Sequence, residues 1–223
     1  PLSLHDALPI CRALADELCA DIYGDKYRLV CPYLRLYMWL WLSQTAKFKE
    51  FTMKKIYIIR HAKAEKDDSK GDFERDLSKK GEQEIKDMLK RLKNRHLKVK
   101  RFISSPALRA ARTTRLLAKG LKLGEKDIIF DKRLYEADEN ALFEYIKALS
   151  DEFSEFCIVG HNPALRELCE LLSEIYLSSF PTCSVFGLEF DDEKFASIKA
   201  HSGKLLFFRS EEHTSELQSR QYL

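Results

Sequence analysis

The chain has 223 residues, of which 45% are hydrophobic and 33% charged, a mixture that closes a globular core and excludes a disordered or fibrous protein. Its 38 lysines and arginines stand against 35 aspartates and glutamates for a formal charge of +3, with the two signs interleaved. That balance excludes the single-sign field of an obligate nucleic-acid binder and favours a small or local anionic target.

Residues 1–10 (PLSLHDALPI) and 209–219 (RSEEHTSELQS) resemble translated sequencing adapter, and segments of that kind are set apart from fold reasoning. The apolar run at 33–42 has about half of the ~20 residues a membrane helix needs and carries Arg35, so no membrane span is expected. Residues 11–52 read as a translated leader, because Lys49-Glu50 can be encoded by a ribosome-binding sequence a short spacer before Met53. A signal segment and a genuine N-terminal extension are the other readings. The expected organisation is therefore 1–52 outside the fold, one domain over 53–208, and a tail at 209–223. Six cysteines lack both the close pairing of a zinc site and the density of a disulfide framework. They are expected as reduced thiols of a cytoplasmic protein.

In chain order, 54–60 (KKIYIIR) is a strand rich in β-branched and aromatic residues. A helix then opens with Ser78 as N-cap and Glu82 near the reciprocal capping position. It carries Ile85, Met88, Leu89 and Leu92 at helical spacing and ends near Asn94. A strand at 101–105 is stopped by Pro106, and a helix over 107–119 has Leu108, Ala111, Leu116 and Leu117 for its buried face. A strand at 128–134, a helix at 140–149, a fully apolar strand at 156–160 and a helix at 163–175 follow, with Pro163 in a first turn that accepts proline. Strands at 183–190 and 197–208 flank the polar turn at 191–194. This alternation predicts an α/β fold: a single three-layer domain with a central, mostly parallel sheet flanked by helices and an antiparallel edge near the C-terminus.

Two histidines stand at the carboxyl ends of predicted strands, His61 between Arg60 and Ala62 and His161 between Gly160 and Asn162. In an open parallel sheet that edge binds ligands. The segment 104–113 leaves a strand at the same edge and puts Arg109 in the first turn of the next helix, where free backbone N–H groups and a guanidinium fork suit a phosphate. Arg60 supplies a second fork, and Glu136 lies just beyond the third strand. Ser105 and Arg112 either line this pocket or cap and decorate the helix. Cys183 has no arginine-bearing phosphate loop after it and reads as a core thiol.

The motifs RHA at 60–62, SSPALRAARTT at 104–114, LYEA at 134–137 and VGHNP at 159–163 together resemble the histidine phosphatase superfamily. Their order and spacing are similar to its compact SixA-type phosphohistidine phosphatase branch, from Met53 to about Phe208. The family's usual RHG is RHA here, which Ala62 tolerates unless its backbone needs a positive φ. The resemblance implies a metal-independent and cofactor-free phosphatase in which neutral His61 is the nucleophile. It implies that Arg60, Arg109 and protonated His161 hold the equatorial oxygens, that Asn162 orients its neighbour, and that Glu136 is a general acid. The expected substrate is a phosphorylated protein such as a histidine phosphotransfer domain, with small phosphomonoesters as the alternative. A non-catalytic phosphate or nucleic-acid binding module built on the basic helix at 109–122 is the third reading. No nucleic-acid or membrane partner is expected. The short stretches between His61 and Arg109 and between Glu136 and His161 leave no room for a large cap.

Overall fold

The computed structural model describes residues 53–66, 71–95, 97 and 99–209, so the segment set apart at 1–52 and the residues from 210 onward lie outside the description. The elements are β1 (Lys54–Arg60), α1 (Lys79–Lys93), β2 (Arg101–Ser104), α2 (Leu108–Gly120), β3 (Ile128–Phe130), α3 (Glu139–Lys147), β4 (Glu155–Gly160), α4 (Ala164–Leu172), β5 (Val185–Phe190) and β6 (Lys204–Arg209). They form one six-stranded sheet in the order β3-β2-β4-β1-β5-β6. The first four strands pair in parallel, whereas β5 is antiparallel to β1 and β6 to β5. The antiparallel C-terminal edge is thus as expected.

Side chains alternate across a strand, and β1 sorts them accordingly. Ile56 and Ile58 join a core with Leu142, Ile146, Leu165 and Leu168 from α3 and α4. Tyr57 and Ile59 join a second core with Ile85, Met88, Ala110 and Leu117 from α1 and α2. Helices cover both faces, which makes the three layers. Among the described residues no helix is long and apolar enough to cross a membrane. Cys157, Cys169 and Cys183 are buried thiols.

Several boundaries differ from expectation, each because a side chain takes over a backbone partner. The third strand stops at Phe130, since the Asp131 carboxylate accepts from the Arg133 amide and starts a 3-10 turn at Lys132–Leu134. The fourth helix ends at Leu172, where the Ser173 hydroxyl donates to the Cys169 carbonyl at 2.7 Å. The last strand starts at Lys204 rather than 197, because Phe195–Ser197 is a 3-10 turn that drives Phe195 against Phe156, ring centroids 5.2 Å apart. The strand then runs to Arg209, paired with Val185. Ser78 caps α1 as expected, accepting from the Gly81 amide at 3.1 Å, but the Glu82 carboxylate turns to Arg112 instead of the cap. On α2 the buried face is Ala110, Thr113, Thr114, Leu117 and Ala118, while Leu116 is exposed. The i, i+3, i+4 spacing from Ala110 selects the two threonines, whose hydroxyls are satisfied within the helix.

Register places the site. Arg60 is opposite Gly160 and Ser104 opposite Val159, so His61, His161 and Ser105 are the first residues past three adjacent strands. The amide of His61 donates to the Gly160 carbonyl at 3.1 Å and that of Ser105 to the Val159 carbonyl at 3.0 Å, continuing the ladder to the edge.

Candidate active site

His61 is buried, and its Nδ1 lies 2.8 Å from the Ala62 carbonyl. A carbonyl only accepts, so Nδ1 carries the proton and Nε2 keeps its lone pair. That lone pair faces Arg109, whose Nε donates to it at 3.3 Å. Ala62 is fully buried and is not among the residues with left-handed backbone, so alanine is unstrained there. The same guanidinium reaches the second imidazole, Nη2 being 3.3 Å from His161 Nδ1. Arginine only donates, which leaves the His161 proton on Nε2, directed at the Ser105 hydroxyl 2.9 Å away. The two rings stand 5.0 Å apart. Sequence positions 61, 105, 109 and 161 therefore meet at one point on the carboxyl edge, and Arg109 is the group that fixes the tautomer of His161.

The remaining predicted residues flank this centre. Arg60 Nη1 and Asn162 Nδ2 both donate to the Phe180 carbonyl, at 2.7 and 2.9 Å, so they sit side by side on one flank. Glu136 lies on the other, lining a cavity of about 210 Å³ with His161, Asn162 and Tyr135. Arg112 stays outside, held by Asp76 and Glu82.

Two carboxylates that the sequence did not signal complete the arrangement. Asp72 accepts from Arg109 Nη2 at 2.8 Å, from the Tyr135 hydroxyl at 3.1 Å and from Arg75 at 3.0 Å, while its carbonyl receives Arg109 Nη1. Tyr135 in turn sets its ring edge-on to His161, centroids 5.4 Å apart. Glu84 is buried on α1 and accepts from the Lys63 amide at 2.9 Å, which pins the loop that follows His61. A methyl group on Gly81 would overlap the Lys63 carbonyl, so the same loop also needs glycine at that helical position. Neither carboxylate lies in any of the four motifs.

Burial, then the arginines around it, lowers the pKa of His61 to about 4, against a smaller opposing effect of the Ala62 carbonyl. Burial, then His61 and Arg109, lowers that of His161 to about 3. Both rings are therefore neutral at pH 7, and the positive charge of the free site resides on guanidinium groups. An unfolded histidine titrates near 6.5, so between there and about 4 the unfolded chain binds more protons than the folded one. Their contribution to stability is complete above about 6.5 and is lost as pH falls toward about 4. Melting temperatures followed from pH 7.5 to 4.5 should fall less steeply in a His61→Gln, His161→Gln double variant than in the wild type; parallel slopes would refute this.

An imidazole with a free Nε2, a second imidazole and arginine forks at the carboxyl edge of a helix-flanked sheet define the phosphatase class of α/β enzyme. Residues 56–144 match the family model of the histidine phosphatase superfamily (branch 1). The solved structure of the protein histidine phosphatase SixA complexed with tungstate is similar over 70% of this chain and 96% of its own, at 24% identity and a TM-score of 0.61. An Agrobacterium tumefaciens protein assigned as a phosphohistidine phosphatase SixA is similar over 70% and 97%, at 24% identity and 0.59. A mycobacterial glucosyl-3-phosphoglycerate phosphatase in complex with VO3 is similar over 69% and 98%, at 16% identity and 0.53. These likenesses establish the fold. No curated relative matches the chain at a significant level.

Proposed function

We propose that the chain is a phosphohistidine phosphatase that removes a protein-borne phosphoryl group through a phosphohistidine on His61. The observation that carries this is the tautomer of His61: its proton is tied to the Ala62 carbonyl and its Nε2 lone pair faces Arg109. Nε2 attacks phosphorus in line as the bond to the substrate nitrogen breaks, and water then hydrolyses the phosphorylated His61. Arg109 and Arg60 hold the equatorial oxygens, where negative charge must be stabilised as the loose transition state forms. A bound phosphate dianion opposes the lowering effect of the arginines on His161 and favours its protonated form, which then donates to a third oxygen. Glu136, in the cavity shared with His161, supplies the proton for a leaving group that needs one. The tungstate complex of the SixA neighbour, a tetrahedral oxyanion in the same fold, supports this class of ligand. A cytoplasmic signalling relay with a histidine phosphotransfer domain as partner is the setting that fits it.

One observation favours a second reading, a phosphatase of small phosphomonoesters: the cavity beside Glu136 is small, and a sugar-phosphate phosphatase shares the fold. Turnover by the full chain of a phosphohistidine protein, compared with a panel of sugar and nucleotide phosphates, separates them. The protein substrate is expected to have the higher kcat/KM by at least about tenfold, or ~1.4 kcal/mol. A metabolite surpassing it would replace the first reading with the second.

A further inference from the structure

Next to the catalytic groups, on the side of Arg60 and Asn162, lies a cleft of about 670 Å³. Its polar wall is Arg60, Asn162, Arg166, Ser179 and Thr182, with no carboxylate among its lining residues. Arg166 stands in the first turn of α4 and pairs with Glu167 at 3.6 Å, an acid that does not itself line the cleft. Three buried polar atoms on these residues, Arg60 Nε, Asn162 Oδ1 and Arg166 Nε, have no hydrogen-bond partner among the described residues. Unsatisfied buried donors and acceptors are rare and costly, and a cluster on one cleft marks a place where a ligand's polar groups are awaited. The far wall belongs to the connection between α4 and β5, which also carries Tyr176, 80% exposed and the most exposed large hydrophobic side chain described.

From this placement we infer that the Arg60–Arg166 cleft binds acidic side chains of the substrate protein that flank its phosphohistidine. The inference rests on the phosphohistidine phosphatase reading and deepens it. Size favours a polypeptide over a metabolite: the cleft is 670 Å³ against 210 Å³ for the cavity beside Glu136, and it is open along its length. Arg60 and Asn162 line the cleft as well as flanking the histidines, so an occupant of the cleft continues into the reacting centre. Arg166 is a specificity residue here and touches no reacting atom.

The test uses the full chain, a phosphohistidine protein with aspartate or glutamate beside the histidine, and p-nitrophenyl phosphate. Arg166→Glu is expected to raise KM for the protein about tenfold or more, with kcat and p-nitrophenyl phosphate turnover unchanged. Arg166→Lys should recover most of the loss. In the wild type, KM for the protein should climb with salt, and in Arg166→Glu that dependence should flatten. Neutralising the acids on the substrate should abolish the difference between the two enzymes. Unchanged KM for the protein in Arg166→Glu, or an equal loss on both substrates, would overturn the inference while leaving the function standing. A rise in KM confined to a small bisphosphate would overturn it in favour of a metabolite subsite. Wild-type enzyme that cleaves p-nitrophenyl phosphate and ignores the phosphoprotein would remove the function, and the inference with it.

Discussion

Replacement of His61 by alanine is expected to reduce phosphate release to background, a loss on the order of 10⁵-fold, because it removes the attacking nitrogen itself. The Ala62 carbonyl and Arg109 fix the attacking tautomer, and in the second ring Nε2 faces Ser105 while Nδ1 receives Arg109 Nη2. Wild-type enzyme mixed with a radiolabelled phosphoryl donor and quenched in alkali should retain label, and acid should release it. The alanine variant should retain none. Its fold should survive, because the His61 ring belongs to neither apolar core. Persistent turnover in the variant would remove His61 as nucleophile.

Arg109→Ala should follow with a fall in kcat/KM of about 10² to 10³ or more, the scale for deleting a donor aimed at developing oxyanion charge. One guanidinium here touches His61, His161 and Asp72 at once. Arg109→Lys should restore little, because a point charge cannot keep three directions. A second readout accompanies the rate: Arg109 contributes to the lowered pKa of both histidines, so NMR titration of the variant should show both values moving upward. Near-normal activity in the lysine variant would overturn the assignment.

Much of this domain was legible in the chain because local pattern and tertiary requirement agreed. The strand 54–60 and the Ser78 cap follow their local pattern, and three of the four motifs, RHA, SSPALRAARTT and VGHNP, sit at strand ends where the fold needs them. The convergence of 61, 109 and 161 could be expected from a parallel sheet, since its strands end at one edge. Reading failed where a long-range partner outcompeted the local one. The strand expected from 197 begins only at Lys204, because Phe195–Ser197 turns to set Phe195 against Phe156. Asp72 sits in an ordinary polar loop, and its partner Arg109 is 37 positions away. No period or motif marks such a pair. Glu84 reads as a solvent-facing helix residue, and only the loop that folds over it makes its burial affordable.

One hydroxyl in the layer behind the site has a consequence for how it works. The Thr113 oxygen accepts from the amide of Ala62 at 3.1 Å and donates to the carbonyl of Arg109 at 2.7 Å. The peptide next to the attacking imidazole and the peptide that carries the charge-stabilising arginine are thus riveted to a single atom. That shared atom fixes the spacing between the two backbone segments on which the imidazole and the guanidinium are mounted. Preorganisation here is a shared hinge-pin rather than general stiffness.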